Sequence, residues 1–76
     1  MTVRAEIRAR AVAFIDGYWV KYWTSPSYRE IGDAVGFSSK SSVHRLLKQL
    51  VQDGVLEARS QERYQRSVLY RVRHQD

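Results

Sequence analysis

Apolar side chains recur with helical spacing in three stretches of the chain and switch to a shorter period near its end. On a wheel of about 100° per residue, Ile7, Ala11, Phe14, Ile15, Tyr18, Trp19 and Tyr22 share one broad arc. That arc predicts a first helix over about residues 3–23, with Thr2 as its cap. Ser25-Pro26-Ser27 interrupts it, because proline excludes helical geometry from the residue before it. Ser27 and Glu30 have the spacing of a capping box: the serine oxygen accepts from the amide three residues on, and the glutamate reaches back to the serine amide. A short helix over about 28–35 follows, with Tyr28, Ile31, Gly32 and Val35 on one face, and Gly36 suits a left-handed helix end. Beyond Phe37-Ser38, with Ser39 as cap, Val43, Leu46, Leu47, Leu50 and Val51 mark the buried stripe of a third helix over about 40–53, stopped by Gly54. Residues 55–59 and 67–72 read as the two strands of a hairpin over about 55–72, joined by the polar stretch 60–66. The expected fold is mainly α with a small β-hairpin, as one domain over residues 1–76.

A short helix followed within a few residues by a longer one is the helix-turn-helix arrangement, whose second helix enters the major groove of DNA. Gly32 lacks bulk where the two helices cross, and Gly36 supplies the turn between them. Any three-helix domain with short connections would share this pattern, so charge matters. Of the 76 residues, 13 are Lys or Arg and 8 are Asp or Glu, a net charge of +5. Residues 1–36 have five basic and four acidic side chains, whereas residues 37–76 have eight and four, so the C-terminal half is the electropositive one. Arginine, which suits bidentate phosphate or guanine contacts, makes up most of the basic side chains.

With its apolar stripe facing inward, the third helix turns Ser41, Arg45, Lys48 and Gln52 outward, with Ser42 and His44 on its flanks. Ser41, Ser42, His44 and Arg45 are the candidate base-reading residues: Arg45 fits guanine O6 and N7, and His44 fits a guanine N7 or a phosphate. Ser39, beside the free amides of the helix start, is a candidate phosphate contact, together with Tyr28, Lys48 and the hairpin arginines Arg59, Arg63 and Arg66. The plainer alternatives are a solvated helix face for Arg45 and Lys48 and a boundary position for His44.

The stretch from Ser25 to Glu57, SPSYREIGDAVGFSSKSSVHRLLKQLVQDGVLE, resembles the N-terminal DNA-binding domain of LexA repressors, most specifically in REIGDAVGF, SSVHRLLKQL and DGVLE. The first helix matches in length and position, so the resemblance covers about residues 3–72. It implies a three-helix winged helix-turn-helix with the third helix in an operator's major groove, and puts Ser39, Ser41, Ser42, His44 and Arg45 in the operator-contacting roles. The self-cleaving second domain of those repressors is not within these residues, so autoproteolysis is not carried over. The side chains at the reading positions also differ from those of family members, and the hairpin is longer.

The end of the first helix is unusually aromatic, which widens its apolar arc to about half the wheel, beyond the roughly 100° a small domain needs. These rings either anchor the core or leave one edge, Tyr18/Tyr22 or Trp19/Trp23, as a dimer or partner surface. The sequence has no cysteine, no paired-carboxylate or glycine-rich phosphate motif, and two distant histidines, His44 and His74, so no catalytic residue, metal site, cofactor or small-molecule ligand is expected. Ser42 and His44, two apart on a helix, do not face each other as a nucleophile and base would. No apolar run approaches a membrane span of about 18 residues. The expectation is a cytoplasmic, bacterial or phage-encoded repressor or regulator that binds double-stranded DNA sequence-specifically, with pairing of two copies on an inverted repeat. The alternative is a winged-helix protein-interaction module in a replication or phage regulatory complex.

Overall fold

The computed structural model describes residues 5–61 and 64–73, with 60, 61 and 64–68 described by their backbone. Three helices, α1 (Ala5–Tyr22), α2 (Tyr28–Val35) and α3 (Lys40–Gln52), precede an antiparallel hairpin of β1 (Leu56–Gln61) and β2 (Tyr64–Val72). This is the expected mainly helical fold with a hairpin wing. Thr2 lies outside the described residues. No described helix is long and apolar enough to cross a membrane.

The local signals act as elementary chemistry requires. Ser27 caps α2 from an extended conformation, its hydroxyl accepting from the Glu30 amide at 3.1 Å while Glu30 accepts from the Ser27 amide at 3.0 Å. The Ser27 amide, then the Ser27 hydroxyl, hold the Glu30 carboxyl below its ordinary range. Gly36 closes α2 with φ +82°, and the Phe37 amide returns to the Gly32 carbonyl at 2.8 Å. α3 ends in a full Schellman motif around Gly54, which has φ +77°: the Gly54 amide donates to Val51 and the Val55 amide to Leu50. α1 ends differently, for Trp23 takes the left-handed conformation at φ +57° and donates its amide to the Trp19 carbonyl. A bulky residue there costs about 1–2 kcal/mol.

The core joins Ala11 and Ile15 of α1, Ile31 and Val35 of α2, Val43, Leu46, Leu47 and Leu50 of α3, and Leu56 and Tyr70 of the hairpin. Arg8 of α1 pairs with Asp53, the residue after α3, at 2.6 Å across a half-exposed surface, worth about 1 kcal/mol or less.

Two sequence expectations need correction. The polar stretch 60–66 is not simply a connecting loop: β1 runs to Gln61 and β2 begins at Tyr64, with a break in register between Ser60 and Gln61. Ladder bonds join backbone groups and do not require apolar side chains, so polarity alone ended the predicted strands too early. Ser39 occupies the cap position of α3, but its side chain makes no capping hydrogen bond.

Gly32 is needed for space. A Cβ built there would lie 2.8 Å from the Phe37 carbonyl oxygen and 3.2 Å from Val43 Cγ2. Gly17, within α1, would meet nothing within 4 Å. Gly32→Ala should therefore lower unfolding free energy by about 1–3 kcal/mol through overpacking. Gly17→Ala should raise it by about 0.5–1 kcal/mol through helix propensity. Urea titrations of both variants check the pair, and a stabilised Gly32→Ala would contradict the close approach.

Candidate nucleic-acid interface

Burying one stripe of α3 leaves the other side of the same helix exposed. Val43, Leu46, Leu47 and Leu50 face the core, while Lys40, Ser41, Ser42, His44, Arg45, Lys48 and Gln52 are exposed. No acidic residue occurs in the 13 residues of α3. Tyr28, at the start of α2, joins Lys40, Ser41, His44, Arg45 and Lys48 around one shallow hollow. An adjoining hollow is lined by Arg29, Ser38, Ser39 and Lys40, among others. The amides of residues 40–42 lie in the first turn of α3, where a helix provides no carbonyl partners.

The candidate residues divide by position. Ser39, Ser41, Ser42, His44, Arg45 and Lys48 occur on α3 or at its start, and all are exposed. Tyr28 borders them, but its hydroxyl already bonds the Tyr70 hydroxyl at 2.9 Å and His44 Nδ1 at 3.2 Å. Arg59 is exposed on β1, paired in register with Leu69 of β2. Arg63 lies outside the described residues, and only the backbone of Arg66 is described. Lys40 and Arg29 are not singled out by the sequence, since Lys40 precedes the apolar stripe of α3 and Arg29 lies on α2. Lys40 lies with its Nζ 5.7 Å from the Tyr28 ring centroid. The basic residue at the first position of a helix that contains no acid was the available signal.

Tyr70 holds the wing against this surface. Its amide donates to Ser25 Oγ at 3.1 Å, its carbonyl accepts from Trp19 Nε1, and its hydroxyl bonds Tyr28. Burial first, then the bond to Tyr28, push the Tyr70 phenol above its usual range.

The aromatic end of α1 separates into two parts. Phe14 and Trp19 pack against the core, and the Arg71 guanidinium stands 5.2 Å from the Trp19 ring. The Tyr18 ring meets the Tyr22 ring in a tilted contact at 4.5 Å between centroids, and its hydroxyl donates to Glu30 at 3.4 Å. Val20, Tyr22 and Trp23 are exposed, Trp23 at 78%.

The LexA DNA binding domain family matches residues 5–69. The chain belongs to that family. Its relatives include the LexA repressor of Desulforamulus reducens, 64% identical over 31 residues, which are 41% of this chain and 14% of that repressor. The LexA repressor of Rhodospirillum rubrum is 44% identical over 46 residues, 60% of this chain and 18% of that repressor. The matched stretches thus cover less than a fifth of either relative. No solved structure matches the chain.

Tyr70 also ties stability to pH. Its folded value is raised, so the unfolded chain gives up the phenolic proton more readily. The stabilisation is complete below the ordinary tyrosine value of about 10 and is lost as pH rises above it. Urea midpoints should fall across that alkaline range, and Tyr70→Phe should show a shallower fall, with some slope remaining from Tyr18, whose phenol is raised by desolvation and by Glu30. Equal slopes in the two proteins would contradict this assignment.

Proposed function

We propose that this chain binds double-stranded DNA sequence-specifically as a transcriptional repressor or regulator, with α3 in the major groove. One observation carries the proposal: in a chain of the LexA DNA binding domain family, the exposed side of α3 is basic and hydroxyl-bearing and has no acid. Such a surface suits phosphates and base edges. Ser41, Ser42, His44 and Arg45 read bases. Ser39, Lys48, Arg59, Arg63 and Arg66 anchor phosphates, joined by Lys40 and Arg29, and Tyr28 borders both sets. Residues 1–76 act as one domain on cytoplasmic DNA, without a cofactor.

Selection of bound duplexes from a random pool, followed by salt titration of the enriched sequence, tests this directly. An enriched motif is the expected result, and no enrichment would defeat it. Arg45→Ala should lower affinity for that motif by about 1–3 kcal/mol and relax preference at one base pair. Arg63→Ala should weaken binding to all sequences alike and reduce the salt slope by about one. Equal losses on every sequence from Arg45→Ala would remove it from the reading set.

A single domain with so few contacts binds weakly, so the reading extends to two copies on an inverted repeat with half-sites about one helical turn or a multiple apart. The exposed Tyr22 and Trp23 are the proposed pairing edge. Light scattering of the concentrated protein should then give more than one chain's mass. Trp23→Asn, which keeps a residue tolerant of the left-handed backbone at that position, should reduce it to one. A single-chain mass for the unsubstituted protein would rule out pairing in the absence of DNA.

A further inference from the structure

Three side chains from three elements form a continuous hydrogen-bonded chain: Tyr70 of β2, Tyr28 of α2 and His44 of α3. Its direction follows from counting protons. A phenol has one proton to donate, and a neutral imidazole has one donor and one acceptor nitrogen. Tyr70 is only 6% exposed, and Tyr28 is the one partner its hydroxyl has among the described residues. If Tyr28 donated to Tyr70, the Tyr70 proton would have no acceptor among the described residues at a part-buried site, which is the more costly arrangement. With Tyr70 donating to Tyr28, the Tyr28 proton is free for His44 Nδ1, and in that arrangement the imidazole proton sits on Nε2.

We infer that Tyr28 and Tyr70 are positioning residues that fix His44 as a one-sided donor, so that His44 selects an acceptor at a base edge and rejects cytosine. The inference rests on the DNA reading above and deepens it. His44 is exposed on α3, and Nδ1 is already engaged, so Nε2–H is the group it has left to offer. In the major groove, guanine and adenine present N7 and thymine presents O4, all acceptors, whereas cytosine presents the N4 donor. A histidine free to exchange tautomers would accept from cytosine as readily as it donated to a purine. Tyr28, its proton committed to His44, supports the interface by holding that ring and does not donate to a phosphate. The wing thus influences base choice without touching a base, through two phenols.

Two measurements on the whole chain test this. Nitrogen NMR of the free protein, with the ring neutral, reports the His44 tautomer without DNA. The expected spectrum has Nε2–H alone, and Tyr28→Phe or Tyr70→Phe admits the Nδ1–H form. An Nδ1–H form in the unsubstituted protein, or the same population in all three proteins, overturns the relay. Duplex selection reports the consequence: the unsubstituted protein should disfavour cytosine at one position by about fivefold, the scale of one hydrogen bond. Tyr28→Phe should lose that preference, and it should add nothing in a His44→Ala background. A Tyr28→Phe effect that persists without His44 would mean a general structural role and would overturn the positioning assignment. A chain that enriches no duplex overturns the DNA reading and the base choice with it, and the tautomer spectrum still decides the relay.

Discussion

A two-stranded hairpin is marginal in water unless something packs against it, and its outer edge presents unpaired backbone groups. Here both demands meet at Tyr70. In the register of the hairpin Tyr70 stands opposite Ala58. Its amide is bonded to Ser25 of the α1–α2 connection and its carbonyl to the Trp19 indole of α1. The edge of β2 at this point is therefore satisfied by α1 and the connection that follows it, and Tyr70 belongs to the same buried core as Leu56. The same residue then extends its hydroxyl to Tyr28. Wing, first helix, connection and second helix are fixed relative to one another through one side chain and its peptide groups.

The α2–α3 pair solves a second constraint, that a helix must bury one side well enough to fold and leave the other side chemically usable. Close approach at Gly32, with the turn amide of Phe37 tied back to the Gly32 carbonyl, lets Val43 reach the core at the very start of α3. Four residues of α3 are then buried, and the remaining side carries hydroxyls and cations. The side chain of Ser39 belongs to this division as well. A serine that closed its own helix would have its oxygen committed, but Ser39 makes no such bond, which leaves the hydroxyl and the first-turn amides available together.

Much of this was legible from residue types in order. Proline at 26, the Ser27–Glu30 spacing and the glycines at 36 and 54 mark element ends because each acts on its own few neighbours, and the structure uses them in that way. The apolar stripe of α3 was legible for the same reason, since periodicity is a local property. Less legible was the stop of α1, where a tryptophan adopts a conformation usually left to glycine. The extension of the strands past the apolar residues was also hidden, since backbone pairing leaves no side-chain signature. The broad aromatic arc of α1 was ambiguous between core and surface: Trp19 turns out to be held by Tyr70 and Arg71, and Trp23 is exposed.

The sequence by itself determined the elements, the inward stripes of α2 and α3, the basic character of the outward side of α3 and the family to which the chain belongs. These follow from interactions reaching about four residues along the chain, and such interactions leave periods and motifs that can be counted. Only the tertiary structure decided that Tyr70 would meet Trp19, Ser25 and Tyr28, partners 51, 45 and 42 residues away. It also decided that Tyr28 would lie between Tyr70 and His44. A single hydrogen bond across such a separation has no period and no spacing rule. It exists because packing the apolar stripes brings those polar groups within reach, and where packing takes them out of water a partner is required.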